Sequence, residues 1–273
     1  MISAADWAFV TGLLRETGRT EVMPRFRRLG PGAVRTKAGP ADLVTDADVA
    51  AEAVITAGLR YRFPGCLIVG EEAAAENPAL LQQLAGAALA FVVDPIDGTG
   101  NFVAGLPLFG IMAAAVMAGR TVAAAIHDPV GDDTAMALSG QGAWTLASDG
   151  GRSPLHVSQA QAPAAMNGCV SWRYMAPDVQ ASVLRNLPNL GVSADYRCSA
   201  HQYRMLAGGH IDYLVFNRLL PWDHLPGVLL HQEAGGYAAH FDASRYLPGE
   251  VDGGLICAPD MASYAAIRRT LLG

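Results

Sequence analysis

Residues 94–101 constrain this chain more than any other segment, because they place two carboxylates at the end of a buried strand. The octapeptide reads Asp-Pro-Ile-Asp-Gly-Thr-Gly-Asn and follows the apolar residues 90–93. Carboxylates as close as Asp94 and Asp97 repel each other unless a cation lies between them or one binds a proton. The Gly-Thr turn that follows offers backbone N–H groups to an anion. The segment therefore predicts metal and phosphate chemistry at one strand end.

The composition of the chain favours one large globular domain or two smaller domains packed together. Of its 273 residues, 51% are hydrophobic, which is enough for a substantial core. The formal net charge is −6 and the isoelectric point is about 5.6. A general nucleic-acid binder usually carries a basic face, so this balance argues against a nucleic-acid partner.

The cysteines and the apolar runs of the chain indicate its cellular compartment. The four scattered cysteines, none in a C-x-x-C pair, are Cys66, Cys169, Cys198 and Cys257. This scatter argues against a disulfide framework or a zinc site and favours a reducing compartment. The first six residues do not resemble a signal peptide, and the apolar runs around 85–93 and 110–119 are too short to span a bilayer. We expect a cytoplasmic protein with no membrane partner.

Periodicity and turn residues predict a mixed succession of helices and strands. Helices are expected over 3–17, about 46–60, 178–187, 199–207, 224–235 (with Pro226 in its first turn) and 260–271. Strands are expected over 67–69, 90–93, 109–117, 121–127, 134–138, 143–146, 168–172, 211–216 and 254–258. The polar segment 148–160 is the expected junction between an N-terminal α+β domain, 1–148, and a C-terminal α/β domain, 149–273.

Three predicted strand ends or turns carry acids: Glu71, the Asp94/Asp97 pair, and Asp223. Taken singly, each has an ordinary explanation as a turn residue, a solvated charge or a helix cap. Together they form a set of hard oxygen ligands that suits Mg²⁺. Two such ions can activate a water and stabilise the leaving oxygen of an in-line displacement, and Asp94 is the best candidate to bridge them.

The strings around these acids resemble the inositol monophosphatase family of Mg²⁺-dependent, lithium-sensitive phosphatases. Residues 94–102 depart from the family's first motif only at Gly100, where threonine is usual. The family's second motif is matched by Trp222-Asp223 together with residues 233–236. Its acidic strand end is matched by residues 70–72, and its N-terminal signature by Lys37 with residues 42–48. The four motifs occur in the family's order and cover nearly the whole chain.

The resemblance implies a fold and a role for each matched residue. The fold would be the αβαβα sandwich of the sugar-phosphatase type, with the metal site at the junction of its two parts. One Mg²⁺ would be held by Glu71, Asp94 and the Ile96 carbonyl, a second by Asp94, Asp97 and Asp223, and a third, weaker ion would lie near Glu71. Gly98 and Thr99 would bind phosphate, and Thr99, Asp48 and Glu71 would orient the attacking water. Glu72 would support the ligands, while Lys37 would be either electrostatic support or a flexible surface lysine.

The chain departs from the family where the substrate would be selected. Inositol-hydrolysing relatives have a glutamate seven residues before the Trp-Asp aspartate, and here that residue is Phe216. Phenylalanine cannot accept a hydrogen bond from a ring hydroxyl. Phe216 therefore either packs in the core or faces the pocket and favours a flatter, more apolar leaving group. Arg197, Ser199 and Arg218 would lie on the substrate side, where the arginines could hold a second phosphate or a carboxylate.

These features predict a metal-dependent phosphomonoesterase that acts on a small polyol, sugar or related alcohol phosphate. The alternatives within the class are a 3′(2′),5′-bisphosphate nucleotidase and a histidinol-phosphate phosphatase. A different alternative is a protein- or RNA-binding module on the same fold. Buried acids without a metal would destabilise such a scaffold, which favours the enzyme. The family resemblance also implies a homodimer.

Overall fold

The computed structural model, which describes residues 2–37, 39 and 42–273, has five layers in which helices and sheets alternate. The helices are α1 Ala4–Thr17, α2 Asp46–Arg62, α3 Glu71–Glu76, α4 Ala79–Gln83, α5 Thr99–Val103, α6 Pro177–Asn186, α7 Ser199–Ala207, α8 Pro221–Glu233 and α9 Met261–Leu272. The strands are β1 Val34–Thr36, β2 Leu43–Thr45, β3 Leu67–Gly70, β4 Ala90–Asp97, β5 Gly110–Met117, β6 Arg120–Asp128, β7 Asp133–Leu138, β8 Ala143–Leu146, β9 Arg152–Pro154, β10 Gly168–Val170, β11 Ser193–Ala194, β12 Tyr213–Phe216, β13 Tyr237–His240 and β14 Leu255–Ala258. This architecture is the predicted αβαβα sandwich.

The first sheet contains seven strands that follow one another in chain order, from β3 to β9. Strands β3 and β4 are parallel, and the later neighbours are antiparallel. Short turns join the strands from β5 to β9, whereas residues 98–109, which include α5, join β4 to β5. Ala118 and Gly119 both have positive φ in the turn between β5 and β6, as a type I′ hairpin requires. Strand β9 extends this sheet into the predicted junction segment, and the division of the chain at residue 148 stays a prediction.

Both faces of the first sheet are buried, which explains why its strands read as continuous apolar runs. Alternate residues of β5 point to opposite faces, so Ile111, Ala113 and Ala115 pack with the outer helices. Met112 and Val116 pack on the other face, against the middle layer. Helices α1 and α2 cover the outer face, where side chains including Trp7, Val10, Leu14, Ile55 and Leu59 are fully buried.

Helices α7 and α8 form the middle layer between the two sheets. Ten of the thirteen residues of α8 are buried, as expected of a helix that is apolar on every side. A Cβ at Gly227 would lie 2.0 Å from the Tyr203 ring, so glycine permits the close packing of α8 on α7. The helix begins at Pro221, earlier than the predicted residue 224, because proline is preorganised for the first helical position. Pro226 consequently lies inside the helix and not in its first turn, which corrects the prediction.

The second sheet has five strands in the order β11-β10-β12-β14-β13. Strands β10, β11 and β12 are parallel, whereas β14 is antiparallel to both of its neighbours. Helices α6 and α9 cover its outer face and complete the fifth layer. The sequence analysis missed the short strand β11 and strand β13, and it ended β4 at residue 93, four residues too early. The other predicted strands and helices are confirmed to within a few residues.

Two further features bear on the sequence expectations. All four cysteines are free thiols, which agrees with the expected absence of a disulfide framework. Within residues 2–37, 39 and 42–273, no helix combines the length and the apolar character needed to cross a membrane.

The buried His231 in α8 predicts a pH dependence of stability. Its Nε2 lies 3.2 Å from the Tyr237 carbonyl oxygen and 3.0 Å from that of Ala258, so this nitrogen donates. Burial lowers the pKa of His231 to about 4, below the value near 6.5 expected in the unfolded chain. Between these pH values the unfolded state binds the proton more strongly, so stability is lost as the pH falls.

We expect the variant His231→Gln, which retains an amide donor, to weaken this pH dependence. The free energy of unfolding, measured with urea at pH 6.5 and pH 4.5, should fall more in the wild type than in the variant, by about 2 kcal/mol. Parallel losses in the two proteins would contradict this assignment.

Candidate active site

Three carboxylates from two distant parts of the chain meet at the junction of the first sheet and the middle layer. One oxygen from each of Asp94, Asp97 and Asp223 lies within 4.8 Å of the others. Asp94 and Asp97 belong to β4, whereas Asp223 lies in the first turn of α8 and is not its cap. The carboxyl groups of Asp94 and Asp223 lie close enough to share a hydrogen bond when one of them is protonated. The structure thus brings together Asp94, Asp97 and Asp223, three of the acids that the sequence predicts as metal ligands.

The local backbone explains why Asp94 and Asp97 point to one place. The pairing of β4 with β5 is irregular between these two residues, and the Ile96 N–H donates to Asp94 Oδ1 over 3.0 Å. Gly98 follows with φ +87°, and a Cβ there would lie 2.8 Å from the Leu108 carbonyl oxygen. Only glycine accepts this turn at no steric cost. A Cβ at Gly100 would meet nothing within 4 Å, so the departure from the family motif disturbs no contact.

Asp97 also ties the site to the C-terminal part of the chain. Its Oδ2 accepts hydrogen bonds from the Ala200 N–H, over 2.6 Å, and from the Cys198 thiol, over 3.0 Å. Both donors lie at the start of α7, where backbone N–H groups lack partners within the helix. The same carboxylate therefore belongs to the acidic cluster and caps a middle-layer helix.

Glu71 lies beside this cluster and makes an ion pair. Lys37 Nζ lies 2.6 Å from Glu71 Oε1 and 3.0 Å from Glu72 Oε1, and the lysine side chain is only 15% exposed. Burial alone would lower the pKa of Lys37, but the charge and hydrogen bond of Glu71 outweigh it and raise the pKa. Lys37 is thus held between two acids and is not a flexible surface lysine.

The electrostatics of the four acids favour a bound cation. Burial raises the pKa of Glu71 to about 8 and that of Asp223 to about 7. Burial, together with the nearby acids, raises the pKa of Asp94 well above its usual value, and burial also raises that of Asp97. Acids held this way are unfavourable when ionised, and a divalent cation removes the penalty. Because the donors are oxygen atoms, the set fits Mg²⁺.

Thr99 and Asp48 lie on the helix side of the cluster. Thr99 Oγ1 lies 3.2 Å from Asp48 Oδ1 and 3.0 Å from the Ile96 carbonyl oxygen. The other Asp48 oxygen accepts from the Thr45 N–H and hydroxyl in the capping box that begins α2. Burial raises the pKa of Asp48 to about 6, although the Thr45 hydrogen bonds oppose the shift. Thr45, predicted as a helix cap, and Asp48, predicted to orient the water, therefore belong to the same capping box.

Glu52 is a residue that the sequence analysis missed. Its carboxylate accepts from the Glu72 N–H over 2.8 Å and from the Ala73 N–H over 2.9 Å, at the start of α3. A Cβ at Gly70 would lie 2.3 Å from the same carboxylate. Glu52 therefore fixes the turn on which Glu71 stands. In the sequence, the only indication of this role is that Glu52 is an acid on the buried face of α2 and that residue 70, which packs against it, is glycine.

We expect the variant Glu52→Gln to weaken the positioning of Glu71. Because an amide NH₂ cannot accept from the α3 backbone, the Mg²⁺ concentration for half-maximal phosphate release should rise about 10-fold to 100-fold. The variant Glu76→Gln, at the exposed end of α3, is the matched control. A titration unchanged in Glu52→Gln would show that Glu52 only stabilises the fold.

A cavity of about 500 Å³ opens beside the carboxylates. It is lined by all of the predicted ligand, phosphate-binding and substrate-side residues except Asp48: Glu71, Asp94, Ile96, Asp97, Gly98, Thr99, Arg197, Ser199, Phe216, Arg218 and Asp223. It is also lined by Arg173 and Tyr174, which the sequence analysis missed. In the sequence, the only indication that these two residues belong to the site is their position just after strand β10. A second, mostly apolar cavity of about 940 Å³ adjoins it and shares Glu71 and Arg218 with it.

Phe216 combines both alternatives considered for it. The side chain is 5% exposed and packs in the middle layer, 5.6 Å from the Tyr203 ring and 4.6 Å from the His224 ring by ring centroids. It is also part of the cavity wall. His224 is held neutral, since burial lowers its pKa to about 3, and its ring bonds the Tyr203 hydroxyl and the Arg218 carbonyl oxygen. The wall at this point offers no carboxylate to a polyol.

The five-layer fold with a buried acidic cluster beside a cavity defines a class of enzyme, the phosphatases of the inositol monophosphatase type. A model of the inositol monophosphatase family matches residues 8–271, and the chain belongs to that family. It is 32% identical over 216 residues to the Nus factor SuhB of Salmonella typhimurium (strain LT2), which covers 77% of each protein. It is 33% identical over 211 residues to the inositol-1-monophosphatase of Mycobacterium leprae, which covers 76% of this chain and 71% of the relative. The crystal structure of the extragenic suppressor protein suhB from Bartonella henselae superposes with a TM-score of 0.83 at 24% identity and 98% coverage of both chains.

Proposed function

We propose that this protein is a Mg²⁺-dependent phosphomonoesterase that hydrolyses a small polyol, sugar or related alcohol phosphate. The observation that carries the proposal is the meeting of Asp94, Asp97 and Asp223 at the cavity that Thr99 lines. Burying these acids costs stability, as their raised pKa values indicate, and a bound cation would offset that cost. Lithium sensitivity, a cytoplasmic location and a homodimer are proposed from family membership alone.

Two to three Mg²⁺ ions would be held by Glu71, Asp94, Asp97, Asp223 and the Ile96 carbonyl oxygen. When bound, Mg²⁺ neutralises phosphoryl oxygens and lowers the pKa of water. Asp97 is aligned for this by α7, and Glu71 by Lys37 and by the Glu52 cap.

The remaining groups would place the phosphate and the water. The backbone N–H groups of Gly98 and Thr99 would donate to phosphate oxygens. Thr99 Oγ1 lies 3.2 Å from Asp48 Oδ1 and 3.0 Å from the Ile96 carbonyl oxygen. With its proton directed to Asp48, the hydroxyl oxygen would accept a proton from the attacking water while its own proton passes to Asp48. Glu71 would accept the second hydrogen bond of that water. The arrangement needs no side-chain nucleophile, because the water itself attacks phosphorus.

A panel of phosphomonoesters tests the proposal. Inorganic phosphate should be released from at least one polyol, sugar or nucleoside monophosphate when Mg²⁺ is present, and excess chelator should abolish the release reversibly. A protein that releases phosphate from no ester on the panel would refute the enzyme proposal.

The name of the Salmonella relative motivates one other candidate, a protein- or RNA-binding role on the same fold. The net charge of −6 disfavours contact with RNA. A binding role alone would leave the panel without turnover.

A further inference from the structure

Three arginines line the cavity that contains the acidic cluster. They are Arg173, which follows β10, Arg197, which precedes α7, and Arg218, which follows β12. All three residues are exposed. None of the three has a carboxylate partner within 4.0 Å in the described part of the chain, unlike Lys37 in the same region. Guanidinium groups bind carboxylates and phosphates with paired hydrogen bonds, so unpaired arginines at a substrate cavity are suited to an anion.

Arg197 is hydrogen-bonded on the side of the cavity where Gly98 and Thr99 would bind phosphate. Its guanidinium donates to Asn101 Oδ1 over 2.9 Å, and its backbone has φ +52°, which few residues other than glycine adopt. The Asn101 amide is in turn fixed by the carbonyl oxygens of Leu108 and Tyr196. This network attaches Arg197 to the helix that begins at Thr99. Arg197 therefore has fewer free donors for a leaving group than the other two arginines.

Arg173 and Arg218 belong to two linked segments of the cavity wall. The Arg218 guanidinium carbon lies 4.4 Å from the centroid of the Tyr174 ring, and the Asn217 amide donates to the Tyr174 carbonyl oxygen over 2.7 Å. These contacts attach the turn that carries Arg173 to the end of β12. The aromatic ring orients the Arg218 group from one face and leaves its N–H edge free. In residues 2–37, 39 and 42–273, no side-chain or backbone acceptor is hydrogen-bonded to either guanidinium.

This wall fits poorly to a neutral or cationic leaving group. Phe216 supplies no acceptor for polyol hydroxyls, and two guanidinium groups that line the same cavity disfavour an amine. An anion is instead attracted by the positive charge of both arginines. The cavity volume of about 500 Å³ accommodates a leaving group that extends from the carboxylates to this wall.

We propose that Arg173 and Arg218 form an anion subsite, so that the preferred phosphomonoester carries a second anionic group, a carboxylate or a phosphate, on its leaving alcohol. The inference rests on the proposed phosphatase activity. Phosphate release from the ester does not consume the second anion, which acts only as an anchor. Tyr174 orients Arg218 and is a positioning residue.

Matched pairs of esters test the subsite. One pair is glycerol 2-phosphate and 2-phosphoglycerate, which differ by a carboxylate, and the other is adenosine 3′-monophosphate and adenosine 3′,5′-bisphosphate, which differ by a phosphate. With free Mg²⁺ held constant, kcat/KM should be about 10-fold to 100-fold higher for the anion-bearing member of at least one pair, mainly through KM. The pair that responds identifies the anion.

Substitutions then assign the preference to the two arginines. The double variant Arg173→Gln/Arg218→Gln should reduce the ratio of kcat/KM between the paired esters to about one, whereas Arg185→Gln, an exposed arginine on α6, should leave the ratio unchanged. Hydrolysis of the neutral members with no preference for the charged ones would overturn the subsite while leaving the phosphatase proposal intact. A preference that survives in the double variant would also overturn it. No release from any ester would overturn the phosphatase proposal and the subsite with it.

Discussion

Replacing Asp94 with asparagine is expected to lower the rate of Mg²⁺-dependent phosphate release about 10³-fold or more. One Asp94 oxygen lies within 4.8 Å of an oxygen from each of Asp97 and Asp223 in the cluster. Loss of its charge removes several kcal/mol of stabilisation of the transition state by bound metal, and each 1.36 kcal/mol is a factor of about 10 in rate. The measurement is kcat on the best ester of the panel at saturating Mg²⁺.

The fold should survive this substitution, because the amide oxygen of asparagine still accepts the hydrogen bond from the Ile96 N–H. Asp178→Asn, on the exposed first turn of α6, is the matched control and should keep full activity. Activity of Asp94→Asn within about threefold of the wild type would exclude Asp94 from the metal site.

Addition of Mg²⁺ to the metal-free protein is expected to raise the melting temperature by about 5–10 °C. A ligand at one hundred times its dissociation constant stabilises the folded state by about 2.7 kcal/mol, and in a chain of this size each kcal/mol moves the midpoint by about 2–4 °C. The gain is expected to be large because the buried acids of the cluster repel one another when no cation is bound.

The Asp94→Asn variant separates this effect from unspecific salt effects. Without metal it should melt at a higher temperature than the wild type, since asparagine removes the cost of burying an acid whose pKa is raised, and it should gain little when Mg²⁺ is added. Equal shifts for wild type and variant in differential scanning calorimetry would place the stabilising ion elsewhere.

The acidic cluster could be predicted from the sequence because its strongest signal is local. Asp94 and Asp97 belong to one strand end, and the motifs around Glu71 and Asp223 are continuous strings of the chain. Glu52 and Arg173 were missed because their importance comes from contacts across the fold. Glu52 acts on backbone amides about twenty residues away along the chain, and the segment that carries Arg173 is attached to the site by the contacts of Tyr174 with Asn217 and Arg218.

The orientation of Phe216 shows a different limit of sequence reasoning. Strand β12 is buried on both faces, so its apolar residues do not alternate with polar ones. Its side chains nevertheless alternate between Leu214 and Phe216, which face the middle layer, and Tyr213 and Val215, which face the outer helices. Nothing in the residue types indicates which set faces inward, and only the assembled layers decide it.

The burial of α8 makes catalysis dependent on the completion of the whole fold. Asp223 reaches Asp94 only when a helix that has almost no solvent-facing surface is enclosed by both sheets, and the two acids are 129 positions apart in the chain. A partly folded chain, or one newly made without its last strands, would hold half a metal site and release no phosphate. Activity would therefore report on correctly folded molecules only.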